Sequence, residues 1–212
     1  MFAADRDLIV LEPNLFRDVS WVGQTLVAGT GSITSTALVM TSQTQGFDVA
    51  GVDAGNVVVV NGVAYEVVSR ITGSVLSVSV PRGDASDMPV APLPTTSTQV
   101  SVVTFAPQIV QVHRQVLRML GIDPDDPEAT LSEGSVTNPG ALRRLEALGA
   151  MHLVLAAASG PAGPESPLAL RAEMYAARFS EERRRVSARI DLDGDGVADA
   201  TRRLNIVQFV RG

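Results

Sequence analysis

The sequence predicts an α+β fold: a three-helix bundle with a long third helix, plus an N-terminal or inserted small antiparallel β-barrel or sandwich. Three observations carry this expectation. From about Gln24 to Val103 the chain alternates apolar and polar residues with the period of a strand. Near Thr104 the period changes to that of a helix. Downstream, Asn138-Pro139 and Ser166-Pro167 each set a capping residue before a proline at the first helical position. The expected divisions are 1–23, an N-terminal segment packing on the helical part; 24–103, the β domain; 104–190, the helical bundle; and 191–212, an Asp/Gly turn followed by a C-terminal strand or tail.

In the N-terminal segment, Leu8-Ile9-Val10-Leu11 form a short apolar run, with Phe16 and Trp21 after it. Strands are expected at Thr25–Ala28, Ala37–Thr41, Asn56–Val60, Ala64–Arg70, Val75–Val80 and Gln99–Val103. Asn61-Gly62 between two of them is a strong two-residue hairpin signal, and Thr72-Gly73-Ser74 marks another turn. Gly29-Thr30-Gly31-Ser32 is glycine-rich but opens no helix, so it reads as a turn and not as a phosphate loop. Pro81–Ser97, with several prolines and small polar residues, reads as an exposed loop. Short strands at this spacing suit a barrel or sandwich.

The first helix carries Phe105, Ile109, Val112, Val116 and Met119 at helical spacing, with Thr104 to cap its start and Gly121 to end it. Asp123-Pro124-Asp125-Asp126-Pro127 breaks the pattern. The second helix puts Leu142, Leu145, Leu148, His152 and Leu155 on one face and stops at Gly160–Gly163. The third is expected from Pro167 to about Arg189, with Leu168, Ala172, Tyr175, Phe179 and Val186 on its buried side.

Composition narrows the function. The 212 residues allow one large domain or two small ones, and a hydrophobic content of 45% can fill a core. There are no cysteines, which excludes disulfides, thiolate metal sites and cysteine nucleophiles. All 17 basic residues are arginine, and the net charge is −6, against general affinity for nucleic acid. No apolar run approaches the about 18 residues that span a bilayer. The start, Met1 to Asp7, lacks the basic residues of a signal peptide, so no membrane association and no secretion by that route are expected.

Four groups of residues are candidates for function. Asp191, Asp193 and Asp195, with Gly196 at the sharp turn and Asp199 at the ninth position, follow the pattern of a calcium loop. The twelfth position, which should supply a bidentate carboxylate, is Arg202, so a polar turn competes with Ca2+ binding. Arg171, Arg178 and Arg185 recur every seven residues on the third helix. With Arg183, Arg184 and Arg189 they form either a solvated face or a subunit interface, met by an acidic neighbour such as the Asp123–Glu128 loop of another copy. The alternating end of the chain, with Ile206, Phe209 and Val210, can pair within its own chain across the Asp/Gly turn or dock on a partner's sheet edge. His113 reads as exposed or paired, and His152 as a satisfied core residue. Neither belongs to a catalytic motif, so no enzyme activity is expected.

The third helix running into Ile190-Asp191-Leu192-Asp193-Gly194-Asp195-Gly196-Val197-Ala198-Asp199, with Tyr175, Phe179 and Arg183 before it and Val210-Arg211-Gly212 at the end, resembles the head–tail adaptors (connectors) of tailed bacteriophages and gene transfer agents. The resemblance covers Phe105–Gly212. It implies a structural virion protein of the neck, made in the host cytoplasm. Such proteins form dodecameric rings under the portal protein, line the DNA channel without sequence-specific binding, and dock a further neck or tail protein. It implies no catalytic centre and no cofactor. Alternatives are a stopper or tail-end protein, in which the β half dominates assembly, and a calcium-stabilised binding module.

Overall fold

The computed structural model describes residues 1–126, 128–160, 163 and 165–204. The chain divides into two compact units, Ala4–Phe105 and Met1–Ala3 with Ala106 onward. The first opens with α1 (Asp5–Leu11) and α2 (Leu15–Asp18). Six strands follow: β1 (Thr25–Thr34), β2 (Ala37–Gln43), β3 (Val57–Val60), β4 (Val63–Thr72), β5 (Val75–Ser79) and β6 (Thr95–Val103). All neighbours are antiparallel, and the strands close into a barrel in the order β1-β2-β5-β4-β3-β6. Closure removes every free edge.

Strand alternation fills the barrel. Val58, Val60, Leu76, Val78, Val100 and Val102 are buried in one cluster with Phe47. The β3 strand is buried on both faces, which is why it reads as four successive valines. Val58 and Val60 enter the barrel, and Val57 and Val59 point to the opposite face, where α1 and α2 pack on β3 and β4. Asn61 and Gly62 both take left-handed backbone (φ 49° and 79°), the geometry of a tight hairpin turn.

Buried charge ties α1 to the barrel. Glu66 on β4 is 1% exposed and accepts Arg6 Nε at 2.6 Å and Arg82 Nε. Arg6 also donates to the Arg82 carbonyl at 2.9 Å. Asp5 accepts the Phe105 N–H at 2.8 Å and Asn56 Nδ2 at 3.2 Å. Burial pushes its carboxyl up, and the bonds from Thr104, Phe105 and Asn56 only partly offset that.

The second unit contains α3 (Ala106–Met119), α4 (Pro139–Ser159), α5 (Pro167–Arg185) and a hairpin of β7 (Ser187–Ile190) and β8 (Ala200–Arg203). Pro139 and Pro167 sit in the first turns of α4 and α5, and Ser166 Oγ accepts the Ala169 N–H at 3.2 Å. The α4 helix packs against both α3 and α5. Phe2, Leu142, Leu145 and Leu120 share a core with Val186, Ala188 and Ile190 of the hairpin region and with Leu204.

Several expectations are corrected. The architecture is α+β with a barrel, but it is not a three-helix bundle with a long third helix. The described residues hold five α-helices, the longest is α4 with 21 residues, and the last, α5, has 19. It stops at Arg185 because Val186, Ala188 and Ile190 are buried on alternate positions, which is strand spacing. The segment 1–23 does not pack as one piece on the helices. Only Met1–Ala3 join that unit, and α1 and α2 cover β3 and β4. Gly29-Thr30-Gly31-Ser32 is no turn. It lies inside β1, with a bulge at Thr30/Gly31, and a Cβ on Gly29 would meet the Ser42 carbonyl oxygen at 2.0 Å. Here glycine permits close approach of two backbones. Asn138 makes no side-chain cap: its Oδ1 accepts the Arg189 N–H at 2.7 Å and its Nδ2 donates to the Ser187 carbonyl at 3.1 Å.

Candidate functional site

The segment from α5 through the hairpin loop holds most of the candidate residues. Along α5, Arg178 and Arg184 are exposed, and the Arg178 guanidinium lies 5.4 Å from the centroid of the Tyr175 ring. Tyr175 itself is buried and fixes that face of the helix. Arg185 is exposed and pairs with Glu181 one turn earlier. Arg171 and Arg183 are half-buried, and Arg183 Nε is buried with no hydrogen-bond acceptor. Arg189 leaves the helical row altogether, because it lies on β7. The outer face of α5 also carries exposed Leu170 and Met174.

The acidic loop expected to meet this row is engaged at home. Asp125 accepts Arg114 at 3.3 Å and Arg118 at 2.6 Å, both from α3.

Between β7 and β8 the Asp/Gly loop folds around Asp191. Gly194 and Gly196, both at φ +84°, turn their N–H groups onto its two carboxylate oxygens at 2.7 and 2.8 Å. Asp199 Oδ2 accepts the Leu192 N–H at 2.7 Å, and Asp195 Oδ1 accepts the Val197 N–H at 2.7 Å. The donors from Gly196 and Gly194 hold the Asp191 carboxyl below its ordinary range. Oxygen atoms of Asp191, Asp193 and Asp195 lie within 4.8 Å of one another. Asp199, the fourth expected ligand, falls outside that cluster and serves the Leu192 backbone instead. Arg202, at the twelfth position, reaches away to the Leu120 carbonyl at the end of α3.

Ile206, Phe209 and Val210 lie outside the described residues.

A buried network went unseen in the sequence. Glu146 on α4 is fully buried and accepts the Phe2 and Ala3 N–H groups at 3.3 and 3.2 Å, together with His113 Nδ1 at 2.9 Å. His113 Nε2 lies 3.2 Å from Glu133, and the Met1 amine also pairs with Glu133. Burial pushes the Glu133 carboxyl up, but the amine and His113 outweigh it and leave it below its ordinary value. His113 and Glu133 border a cleft of about 390 Å³ whose apolar walls include Leu117, Ile122 and Leu131. His152 Nδ1 lies 3.1 Å from the Ala172 carbonyl, on α5. These contacts are structural ties between elements. The only signal in the sequence was an acid, Glu146, at a position flanked by leucine and alanine.

Among the described residues, no helix is long and apolar enough to cross a membrane. Comparison with protein-family models, with curated proteins and with solved structures finds no match.

Proposed function

We propose that this chain is a structural protein of the neck of a tailed phage or gene transfer agent, a head-to-tail adaptor that assembles as a ring beneath the portal. The observation that supports this best is the passage from α5 into the hairpin. A helix anchored by Tyr175 leads into a loop held rigid by backbone bonds to Asp191, and its outer face remains in solvent with Arg178, Arg184 and Arg185. Such a face is suited to contact between copies, since arginine pairs with carboxylates in a fixed geometry. In this reading the chain works without catalysis, and its acidic balance keeps passing DNA from sticking to it.

Purified chain mixed with purified portal and weighed by native mass spectrometry tests the proposal. Twelve copies per portal ring are expected, and no complex at any ratio sinks it. Tight duplex-DNA binding by the free protein with a steep salt dependence would also count against it.

A second reading, a calcium-stabilised module, draws support from the approach of three carboxylates within 4.8 Å and from Arg202 turning away from the loop. Thermal melts with calcium and with chelator decide it: an unchanged midpoint rejects the module.

A further inference from the structure

The loop between β5 and β6 combines two properties that are rarely found together. Its residues from Gly83 to Ala91 are all exposed, with Met88 87% exposed, and Leu93 further on is 81% exposed. Yet its shape is fixed. Arg82, at its base, is buried and reaches Glu66 with one nitrogen and the Asp87 carbonyl with another. Arg6 donates to the Arg82 carbonyl at 2.9 Å, the Val80 N–H to Val90 O at 2.9 Å, and the Asp84 N–H to Asp87 Oδ2 at 2.9 Å. Desolvating three charges to hold a solvent-exposed loop is costly. What it supplies is an apolar tip already in shape, which loses little conformational freedom on docking.

We propose that this loop docks on the outer face of α5 of a second copy of the chain. This rests on the self-assembly in the adaptor reading and names the surfaces that meet. On α5, Leu170 and Met174 are one turn apart and exposed, and Arg178 continues the same row. The loop offers Met88 and Leu93 beside Asp84 and Asp87, while the positive charge of Arg82 is turned inward to Glu66. The α5 helix carries five Arg against three Glu, a net +2, opposite the two aspartates. Apolar meets apolar and acid meets base. The Asp123–Glu128 loop offers acid without a large exposed apolar side chain among its described residues, and Asp125 is already paired. Loop on one copy and helix on the next make a head-to-tail contact, the kind that closes a ring.

The chain has no cysteine, so each introduced thiol is unique. Single variants M88C and M174C, mixed under mild oxidation, are expected to give at least tenfold more disulfide dimer than either alone. The exposed-residue variants M88S/L93S and L170S/M174S should each self-associate at least tenfold more weakly than the parent, yet combine with one another as a one-to-one pair. Equal crosslinking in the unmixed variants, or a monomer-mass crosslink in the double variant M88C/M174C, overturns the proposal. So does a parent chain that stays monomeric. If M88S/L93S still forms the portal complex with its full copy number, the loop proposal is lost and the adaptor reading stands. If mixed crosslinks form but portal is never bound, the reverse holds.

Discussion

Two carboxylates show how the same group serves opposite ends of the energy scale. Glu66 is buried between Arg6 and Arg82, where desolvation of three charges is offset by their mutual contacts. Glu66→Gln removes the centre of the triad and leaves two guanidinium groups facing each other in the interior. A loss of about 3–5 kcal/mol is expected, read from urea unfolding. Replacing all three by apolar residues of similar volume should cost far less, because charge leaves together with its partners. Asp191, in contrast, holds a loop in place through bonds to Gly196 and Gly194 that favour its ionised form. Its folded-state pKa lies below the ordinary 3.8, so its contribution is present above that value and is lost as pH falls through the lower one. Asp191→Asn turns an NH2 toward one of those N–H donors. The variant should melt below the parent at neutral pH, and the gap should narrow below about pH 4. A gap that stays constant across that range would contradict this account.

At the scale of elements, helix starts and the barrel strands were legible where local chemistry decides them. Pro139, Pro167 and Ser166 mark α4 and α5, and the valines of β3 mark a strand covered on both faces. What was not legible depends on partners distant in sequence. The glycines of β1 look like a turn until β2 is laid beside them. The end of α5 is set by a strand partner thirteen or more residues later, as in the pairing of Ser187 with Arg203. The buried acids Glu66 and Glu146 carry no periodic signature, since their partners come from the first residues of the chain. Of the candidate site, the Asp/Gly loop was visible as a motif, but its use of carboxylates for backbone N–H groups was not. Gly149 is another long-range effect. A Cβ there would meet Val112 Cγ1 of α3 at 2.6 Å and Phe179 of α5 at 3.0 Å. Gly149→Ala gains about 1 kcal/mol of helix propensity, but overpacking costs about 1–3 kcal/mol. A net loss of roughly 1–2 kcal/mol is expected by chemical denaturation. Net stabilisation would show that α4 stands off its neighbours.

At the scale of the whole molecule, the chain places its two kinds of order in separate units. The barrel unit, Ala4–Phe105, holds its own apolar core, its own buried ion triad and its own network around Asp5. Phe105, at its end, is fully buried against Phe16 and Trp21, at 4.7 and 5.5 Å between ring centroids. Every stabilising group named for the barrel lies within these residues. A closed barrel with no free strand edge also has little tendency to pair with other chains during folding. The excised segment is therefore expected to fold alone, with a single cooperative denaturant transition and dispersed amide resonances. The α1 helix is what makes the cut position decisive. Removing Ala4–Leu11 as well takes away Asp5 and Arg6, leaving Glu66 with one cation and uncovering Val57 and Val59. That shorter piece should unfold at markedly lower denaturant or lose cooperativity. Equal stability of the two pieces would show that the buried triad and the helix cover contribute little, and that the barrel strands alone carry this unit.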